Sequence, residues 1–158
     1  MKNLKIILIF FCFVFSSQIL FAQEYTYKRD AFDNEKVNMY DSSGNKVGYY
    51  KVDAFDRSKI NVYNSYGTVI KTIKNDAFDS SKTNTYDSYG NKQSSTKRDA
   101  FNSNRENITD SYGNIIGYKQ VDAFDKGKIN VFDKNSNKVG YYKKNAFSGD
   151  WEYFKSTY

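Results

Sequence analysis

The sequence predicts an all-β protein: an elongated antiparallel meander of tandem β-hairpins that repeat every 23 residues. Three observations predict this fold. The tripeptide Asp-Ala-Phe recurs at a constant step of 23 residues. A turn motif of the form Tyr-Asp-x-x-Gly recurs at the same step between these tripeptides. The strand-forming residues Tyr, Phe, Val, Ile and Thr are abundant, whereas the chain contains no Pro.

Residues 1–22 have the pattern of a secretory signal peptide. Lys2 and Lys5 supply positive charge, an apolar run follows over 6–15, and Ala22 fits the small residue before a cleavage site. The apolar run is shorter than the roughly 20 residues that a membrane-spanning helix needs. We therefore expect an exported protein, located in the periplasm, on the outer surface or outside the cell, with no transmembrane segment in the mature chain.

The composition of the mature chain excludes several functions. Loss of residues 1–22 removes Cys12, the only cysteine, and leaves no Cys, His, Leu or Pro. Zinc clusters and His-based catalytic triads are then excluded, so we expect no catalysis, no metal and no cofactor. The mature chain has 22 cationic and 18 anionic side chains, a net charge of +4. This mild excess lacks the clustered basic face of nucleic-acid binders, and we expect no nucleic-acid partner.

Each repeat is predicted to fold as strand, turn, strand, turn. In the second unit, residues 59–63 alternate polar and apolar side chains, as a strand with one covered face does. Asn64 and Gly67 fit a hairpin turn, since Asn can bond the backbone and Gly can take a positive φ. We predict one such repeat domain over 23–158, without insertion or deletion. Its units start near residues 30, 53, 76, 99, 122 and 145.

A column of cations helps to distinguish the meander from a β-solenoid, which is the alternative fold. In a solenoid, equivalent residues stack about 4.8 Å apart, and in a meander they lie roughly 9.6 Å apart. The wider spacing about halves the repulsion between like charges even before salt screens it, so the column favours the meander. The same position of five units holds Lys36, Lys59, Lys82, Arg105 and Lys128.

About twelve strands would form an open sheet roughly 55 Å long. Its free edges, residues 24–29 and 151–155, could pair with other chains. The third unit is the most polar, with Thr83, Thr85 and Ser94 in its strands, and we expect it to be the least stable.

The Asp-Ala-Phe segment is predicted to be the turn between repeats. Acidic pairs such as Asp53 and Asp56 suit backbone capping, and calcium binding is the alternative. Capping is favoured because the pairs recur in the repeats and Lys follows them closely. We expect the Phe to fold under the turn and cover the sheet, and the Ala to be required by a close contact.

The turn core Tyr86-Asp87-Ser88-Tyr89-Gly90-Asn91 resembles the YD repeat of RHS-type proteins. The period and the aromatic, Gly-marked hairpins are also similar to MORN-type repeats. The first resemblance implies strand-turn-strand units, often at bacterial surfaces, and suggests a toxin-related or immunity-like partner protein. The second implies an elongated antiparallel meander. Neither resemblance assigns a role to an individual residue.

Tyrosines that follow glycine are the candidate binding residues. Adjacent tyrosines point to opposite faces of a strand, so one of each pair would be packed and the other exposed. Exposed aromatic rows suit sugar rings, while the alternative is that tyrosine only covers a thin sheet. The candidates are Tyr49, Tyr50, Tyr118, Tyr141 and Tyr142.

The sequence therefore predicts a secreted, non-catalytic repeat protein that acts by binding or self-assembly at the bacterial cell surface. A carbohydrate-binding or cell-wall-binding module is one alternative, and a toxin-related or immunity-like protein is another. The expected partner is a glycan, another component of the cell envelope, or a second copy joined through the edge strands.

Overall fold

The computed structural model describes residues 25–156, so the predicted signal peptide over 1–22 lies outside the described residues. Twelve strands follow one another along this part of the chain, joined by short turns. Their bounds are β1 Tyr25–Arg29, β2 Lys36–Tyr40, β3 Lys46–Val52, β4 Lys59–Asn64, β5 Val69–Asn75, β6 Lys82–Asp87, β7 Lys92–Arg98, β8 Arg105–Asp110, β9 Ile115–Val121, β10 Lys128–Asp133, β11 Lys138–Lys144 and β12 Trp151–Lys155.

The strands form a closed antiparallel barrel. Each strand pairs with its neighbours in sequence, and β1 also pairs with β12. The all-β prediction is confirmed, but the open elongated meander and the solenoid alternative are both wrong. The twist between neighbouring strands accumulates around a sheet, and closure removes the unpaired strand edges. The two predicted edge strands pair with each other, so edge-to-edge self-association has no free edge among the described strands.

The closing pair β1–β12 is built from two half-repeats. In sequence, β1 matches the second strand of a unit and β12 matches the first. Trp151 lies opposite Tyr27 in this pair, just as Ile60 lies opposite Ile73 in the second unit. The barrel thus contains six hairpin-like pairs, and the sixth joins the two ends of the described chain.

The turn before β12 is one residue shorter than the other turns of its kind. The N–H of Asn145 donates to the carbonyl of Asp150 at 2.7 Å, whereas the N–H of Asp122 donates to Lys128, six residues on, at 2.9 Å. The prediction of repeats without deletion is therefore wrong at the sixth unit. The shorter turn gives Trp151 the inward position that Ile129 holds in β10.

The five hairpin turns at the other end of the barrel have the predicted backbone conformation. Gly67 has a φ of +81°, and the glycines of three other turns also lie at positive φ. In the fifth turn Ser136 takes the same region at +66°, where a side chain is less favourable than a hydrogen.

The barrel interior has one apolar wall and one polar wall. Strands β6 and β7 of the third unit place Thr85 and Ser94 in the interior, so the polar character predicted for this unit extends to its buried face. The apolar wall is formed by Tyr27, Val37, Met39, Tyr50, Ile60, Val62, Ile73, Tyr142 and Tyr153.

Candidate functional site

The five candidate tyrosines divide between the two faces of the barrel wall. Tyr50 and Tyr142 point inward and are buried in the core. Tyr49, Tyr118 and Tyr141 lie on the outer face and are half-buried. Adjacent tyrosines point to opposite faces, as predicted, but the outer three are half-buried and not exposed. The five side chains do not form one cluster.

Each outer tyrosine already has an aromatic partner. Tyr49 stacks on Tyr63 with ring centroids 4.5 Å apart and planes 8° from parallel. Tyr118 stacks in the same way on Phe132 at 4.7 Å, and Tyr141 on Phe154 at 5.0 Å. These contacts give the outer tyrosines a role in packing neighbouring strands together.

Cationic side chains also contact the rings of the outer tyrosines. The ammonium groups of Lys36 and Lys46 lie 4.9 and 5.0 Å from the centre of the Tyr49 ring. The guanidinium of Arg105 lies 3.7 Å from the centre of the Tyr118 ring. At these distances a cation is attracted to the face of an aromatic ring. A sugar ring would therefore have to compete with these contacts.

The largest apolar groups exposed to solvent lie elsewhere, on the Asp-Ala-Phe turns. Six phenylalanines, one in each turn, are exposed to between 100% and 102% of their reference area. The expectation that they fold under the turn is wrong, and the neighbouring alanines are exposed as well. We call these side chains the phenylalanine rim, formed by Phe32, Phe55, Phe78, Phe101, Phe124 and Phe147.

All six phenylalanines lie at the same end of the barrel. Each turn connects an odd-numbered strand to the next strand, and odd-numbered strands of this antiparallel barrel run in one direction. Neighbouring phenylalanines are two strands apart, which corresponds to about 10 Å around the circumference. The rim is therefore a ring of evenly spaced aromatic side chains.

An aspartate clamps each of the first five turns and fixes the direction of its phenylalanine. Oδ1 of Asp53 accepts hydrogen bonds from the N–H groups of Phe55, at 3.0 Å, and Asp56, at 3.1 Å. Oδ2 of Asp53 accepts from Nδ2 of Asn61 at 2.9 Å and pairs with Nζ of Lys59 at 3.2 Å. Because one carboxylate oxygen binds the turn backbone and the other binds side chains of the next strand, the turn is held against that strand.

The clamp also accounts for the cation column. Lys59 and its equivalents each lie near the clamping aspartate six residues earlier, with Lys36 3.2 Å from Asp30 and Lys128 3.8 Å from Asp122. The prediction that the acidic pairs cap turns is confirmed. Among residues 25–156, no group of three or more side chains is placed to hold a metal ion.

The clamping hydrogen bonds keep these carboxylates ionised. The backbone N–H of Phe55, followed by Asn61 and Lys59, lowers the pKa of Asp53 to about 2. The side chain of Asn130, followed by the N–H of Phe124, lowers the pKa of Asp122 to about 2. Hydrogen bonds to a carboxylate favour its charged form, so the turns are clamped at any pH well above these values.

The second acidic residue of the turn links the rim to the next strand. Asp33 pairs with Lys51 of β3 at 2.8 Å, and Asp79 pairs with Lys97 of β7 at 2.7 Å. The backbone N–H of Glu35 donates to Oδ1 of Asp33 at 3.0 Å. The phenylalanine rim thus stands on turns that are held by side chains on both sides.

The opposite end of the barrel carries exposed tyrosines in three turns. Tyr66, Tyr89 and Tyr112 are about 90% exposed, at 92%, 89% and 91%. Ser43 and Asn135 hold the matching positions in the other two turns. This end therefore has fewer exposed aromatic groups, and each of them carries a polar hydroxyl.

Sequence reasoning missed the phenylalanine rim because it assumed that a recurring apolar residue must be buried. The available signal was the setting of each phenylalanine: it follows Asp-Ala at the tip of a short turn in which every other neighbour is small or polar. Such a turn has no second layer beneath it to cover the ring.

Within the described part of the chain there is no helix with the length and apolar character that a membrane crossing requires. The chain matches no family model, and no curated protein matches it. The YD and MORN resemblances therefore stay predictions.

The fold is similar to that of an Arabidopsis thaliana protein known from an X-ray structure. The TM-score is 0.65 at 10% sequence identity, and the match covers 85% of this chain and 80% of the other. At that identity the similarity shows the fold alone, because unrelated functions share folds.

Proposed function

We propose that this is an exported, non-catalytic protein that acts by binding at the bacterial cell surface, and that it docks through the phenylalanine rim on the lipid surface of the cell envelope. The observation that carries the proposal is the complete exposure of six phenylalanines in one ring. Exposed apolar surface of this kind is costly in water and typically marks a contact site.

The energy available to such a contact is substantial. Burial of one phenylalanine side chain is worth about 1.5–3 kcal/mol. Six together provide on the order of 10 kcal/mol, which is comparable with the roughly 4–15 kcal/mol that association costs. Because the turns are already clamped by Asp53 and its equivalents, little additional ordering is needed.

The shape of the rim favours a lipid surface over a folded protein. A protein partner would need an apolar pocket for each of six rings spaced about 10 Å apart. A lipid interface offers the same apolar environment at every point of the ring, and shallow insertion of aromatic groups is a common way of binding it. Lys126, an exposed cation in the fifth of these turns, suits anionic headgroups.

Co-sedimentation with vesicles of phosphatidylethanolamine and phosphatidylglycerol tests the proposal. The test variant changes three alternate rim positions, Phe32→Ser, Phe78→Ser and Phe124→Ser. The matched control makes the same change at the opposite end, Tyr66→Ser, Tyr89→Ser and Tyr112→Ser. We expect the native protein and the control to bind, and the test variant to bind at least tenfold more weakly.

Absence of vesicle binding, or equal binding by both variants, would contradict the proposal. Light scattering without lipid gives the other decisive result. If the native protein forms large particles that the rim substitutions abolish, while vesicles have no effect, the rim joins copies of this chain instead of binding lipid.

A further inference from the structure

A second candidate site lies inside the barrel, at the same end as the phenylalanine rim. A cavity of about 240 Å³ is bounded by the ends of β7, β8, β9, β10 and β12. Its charged lining groups include Arg98, Glu106, Lys119 and Lys126, and its apolar lining includes Ile129 and Trp151. Such a combination of an apolar wall with a few convergent charged groups is typical of small-ligand sites.

The fourth repeat departs from the pattern of the other units at this cavity. Lys119 holds the inward position that Tyr50, Ile73 and Tyr142 hold in other repeats. Only 5% of its side chain is exposed, and its Nζ lies 3.1 Å from Oε2 of Glu106. The two residues are directly opposite each other on β8 and β9.

Glu106 also differs from the residues at the matching position of other units. Val37, Ile60 and Ile129 hold the matching inward position in other units. Moving a charge out of water costs solvation energy that pairing repays only in part, and apolar replacements of buried ion pairs are often neutral or stabilising. Because the other units have uncharged residues at both positions, the fold does not require this pair of charges.

Trp151 lines the cavity with its indole ring, at the inward position that Ile129 holds in β10. The shorter turn before β12 is what brings this side chain into the inward position.

We propose that this cavity binds a small organic carboxylate with an aromatic or branched apolar body. Three cations and one acid give the charged lining a net positive charge, which favours a single anionic group. Arg98 and Lys126 face that carboxylate together with Lys119, while Ile129 and Trp151 pack against the apolar body. The volume is below the roughly 300–1,000 Å³ of sites for drug-sized ligands, so the ligand is small.

The chain carries its own reporter for this site, since Trp151 is its only tryptophan. Titration of the purified protein with 3-phenylpropionate is expected to change the tryptophan emission saturably. The uncharged analogue 3-phenylpropanamide has nearly the same shape, and we expect it to bind at least tenfold more weakly. Equal binding of both compounds, or no saturable change, would overturn the proposal.

Two variants test the cations. Removal of the whole ion pair by Lys119→Met with Glu106→Gln avoids leaving one buried charge alone, and it is expected to weaken binding at least tenfold. Lys126→Gln changes an exposed turn residue, so it keeps the test decisive if the double variant does not fold. The matched control is Lys134→Gln in a turn at the opposite end.

Unchanged affinity in Lys126→Gln and in a folded double variant would contradict the assignment, as would an equal loss in Lys134→Gln. Vesicle binding through the phenylalanine rim is a separate property. We expect it to be unaffected by Lys119→Met with Glu106→Gln, so the two proposals can fail independently.

Discussion

Tyr27 lies directly opposite Trp151 across the pair of strands that closes the barrel. The register is the one that places Ile73 opposite Ile60 within a repeat. Tyr27 is buried and packs against Tyr50 and Tyr142 with ring centroids 6.3 Å away in both cases. The two ends of the described chain are therefore held together by the same contacts that hold each repeat.

A circular permutant tests this closure. A five-residue linker copied from residues 89–93 would join Ser156 to Tyr25, and the chain would be opened between Tyr112 and Gly113. Paired strands lie about 5 Å apart, so the linker has the length that a hairpin needs. We expect the permutant to fold, with a circular dichroism spectrum and melting temperature close to those of the native protein.

The control for the permutant is a pair of co-expressed fragments. They divide the chain between Tyr112 and Gly113, and no linker joins Ser156 to Tyr25. In an open sheet the two ends would lie roughly 55 Å apart, and a five-residue linker could not join them without disrupting the strands. Loss of cooperative unfolding in the permutant alone would therefore contradict the closed barrel.

The aspartate clamps predict how stability depends on pH. The pKa values of two clamps, Asp53 and Asp122, and of the second acidic residue Asp79 are lowered to about 2 in the folded protein, whereas an aspartate in an unfolded chain has a pKa near 3.9. The unfolded state therefore takes up protons first as the pH falls. The contribution of these groups is complete above about pH 5 and is lost progressively between about pH 4 and pH 2.

Urea unfolding between pH 2 and pH 7 measures this effect. Asp122→Asn keeps an acceptor for the backbone N–H groups but removes the titrating charge, so we expect a smaller fall in the free energy of unfolding at low pH. Asp150→Asn, in the sixth turn, is the control, since its side chain is not a clamp. An equal pH dependence in the native protein and in Asp122→Asn would contradict the clamp.

Much of the local structure could be predicted from sequence because it depends on contacts within one repeat. Asn64 and Gly67 specify a hairpin turn by side-chain capping and positive φ, and both features are present. The alternation of Ile60 and Val62 with polar residues specifies which side chains line the barrel interior. These signals are short in range and recur, so they are visible in a linear pattern.

Closure was missed because it depends on twist and tilt summed over all twelve strands, which no single repeat contains. One signal was present: the repeat pattern includes an unpaired half unit at Tyr25 and the complementary half unit at Trp151. The candidate sites were missed for a different reason. Lys119 and Glu106 stand out only when the repeats are aligned and their inward positions are compared, because each charge is ordinary by itself.

The hairpin turn at Ser136 offers a test of backbone strain. Ser136 has a φ of +66°, where the other turns with Gly at this position have φ between +81° and +93°. Ser136→Gly is expected to raise the free energy of unfolding by up to about 1 kcal/mol, because glycine enters this region without steric cost. Chemical denaturation with an unchanged m-value would measure the gain.

The reciprocal change serves as the control for this turn. A Cβ added at Gly113 would meet no atom within 4 Å, so Gly113→Ala reports the backbone effect alone. We expect a loss of about 1 kcal/mol. A destabilising Ser136→Gly, or a neutral Gly113→Ala, would show that positive φ does not limit the stability of these turns.

The polar inner wall predicts where the barrel opens most easily. Thr85 and Ser94 lie opposite each other at an inward position of the third unit. The matching pair of the second unit is Val62 and Lys71, and the neighbouring inward pair there is Ile60 and Ile73. Burial of hydroxyl-bearing side chains contributes less hydrophobic free energy than burial of isoleucine or valine. We expect amide hydrogen exchange to be faster over 82–97 than over 59–75, by about tenfold or more.

Two variants test whether the polar inner wall causes this difference. Thr85→Val is expected to slow exchange over 82–97, whereas Thr26→Val, on the outer face of β1, should leave it unchanged. Equal protection of the two segments in the native protein would show that backbone pairing, and not the apolar wall, sets the local stability of the barrel.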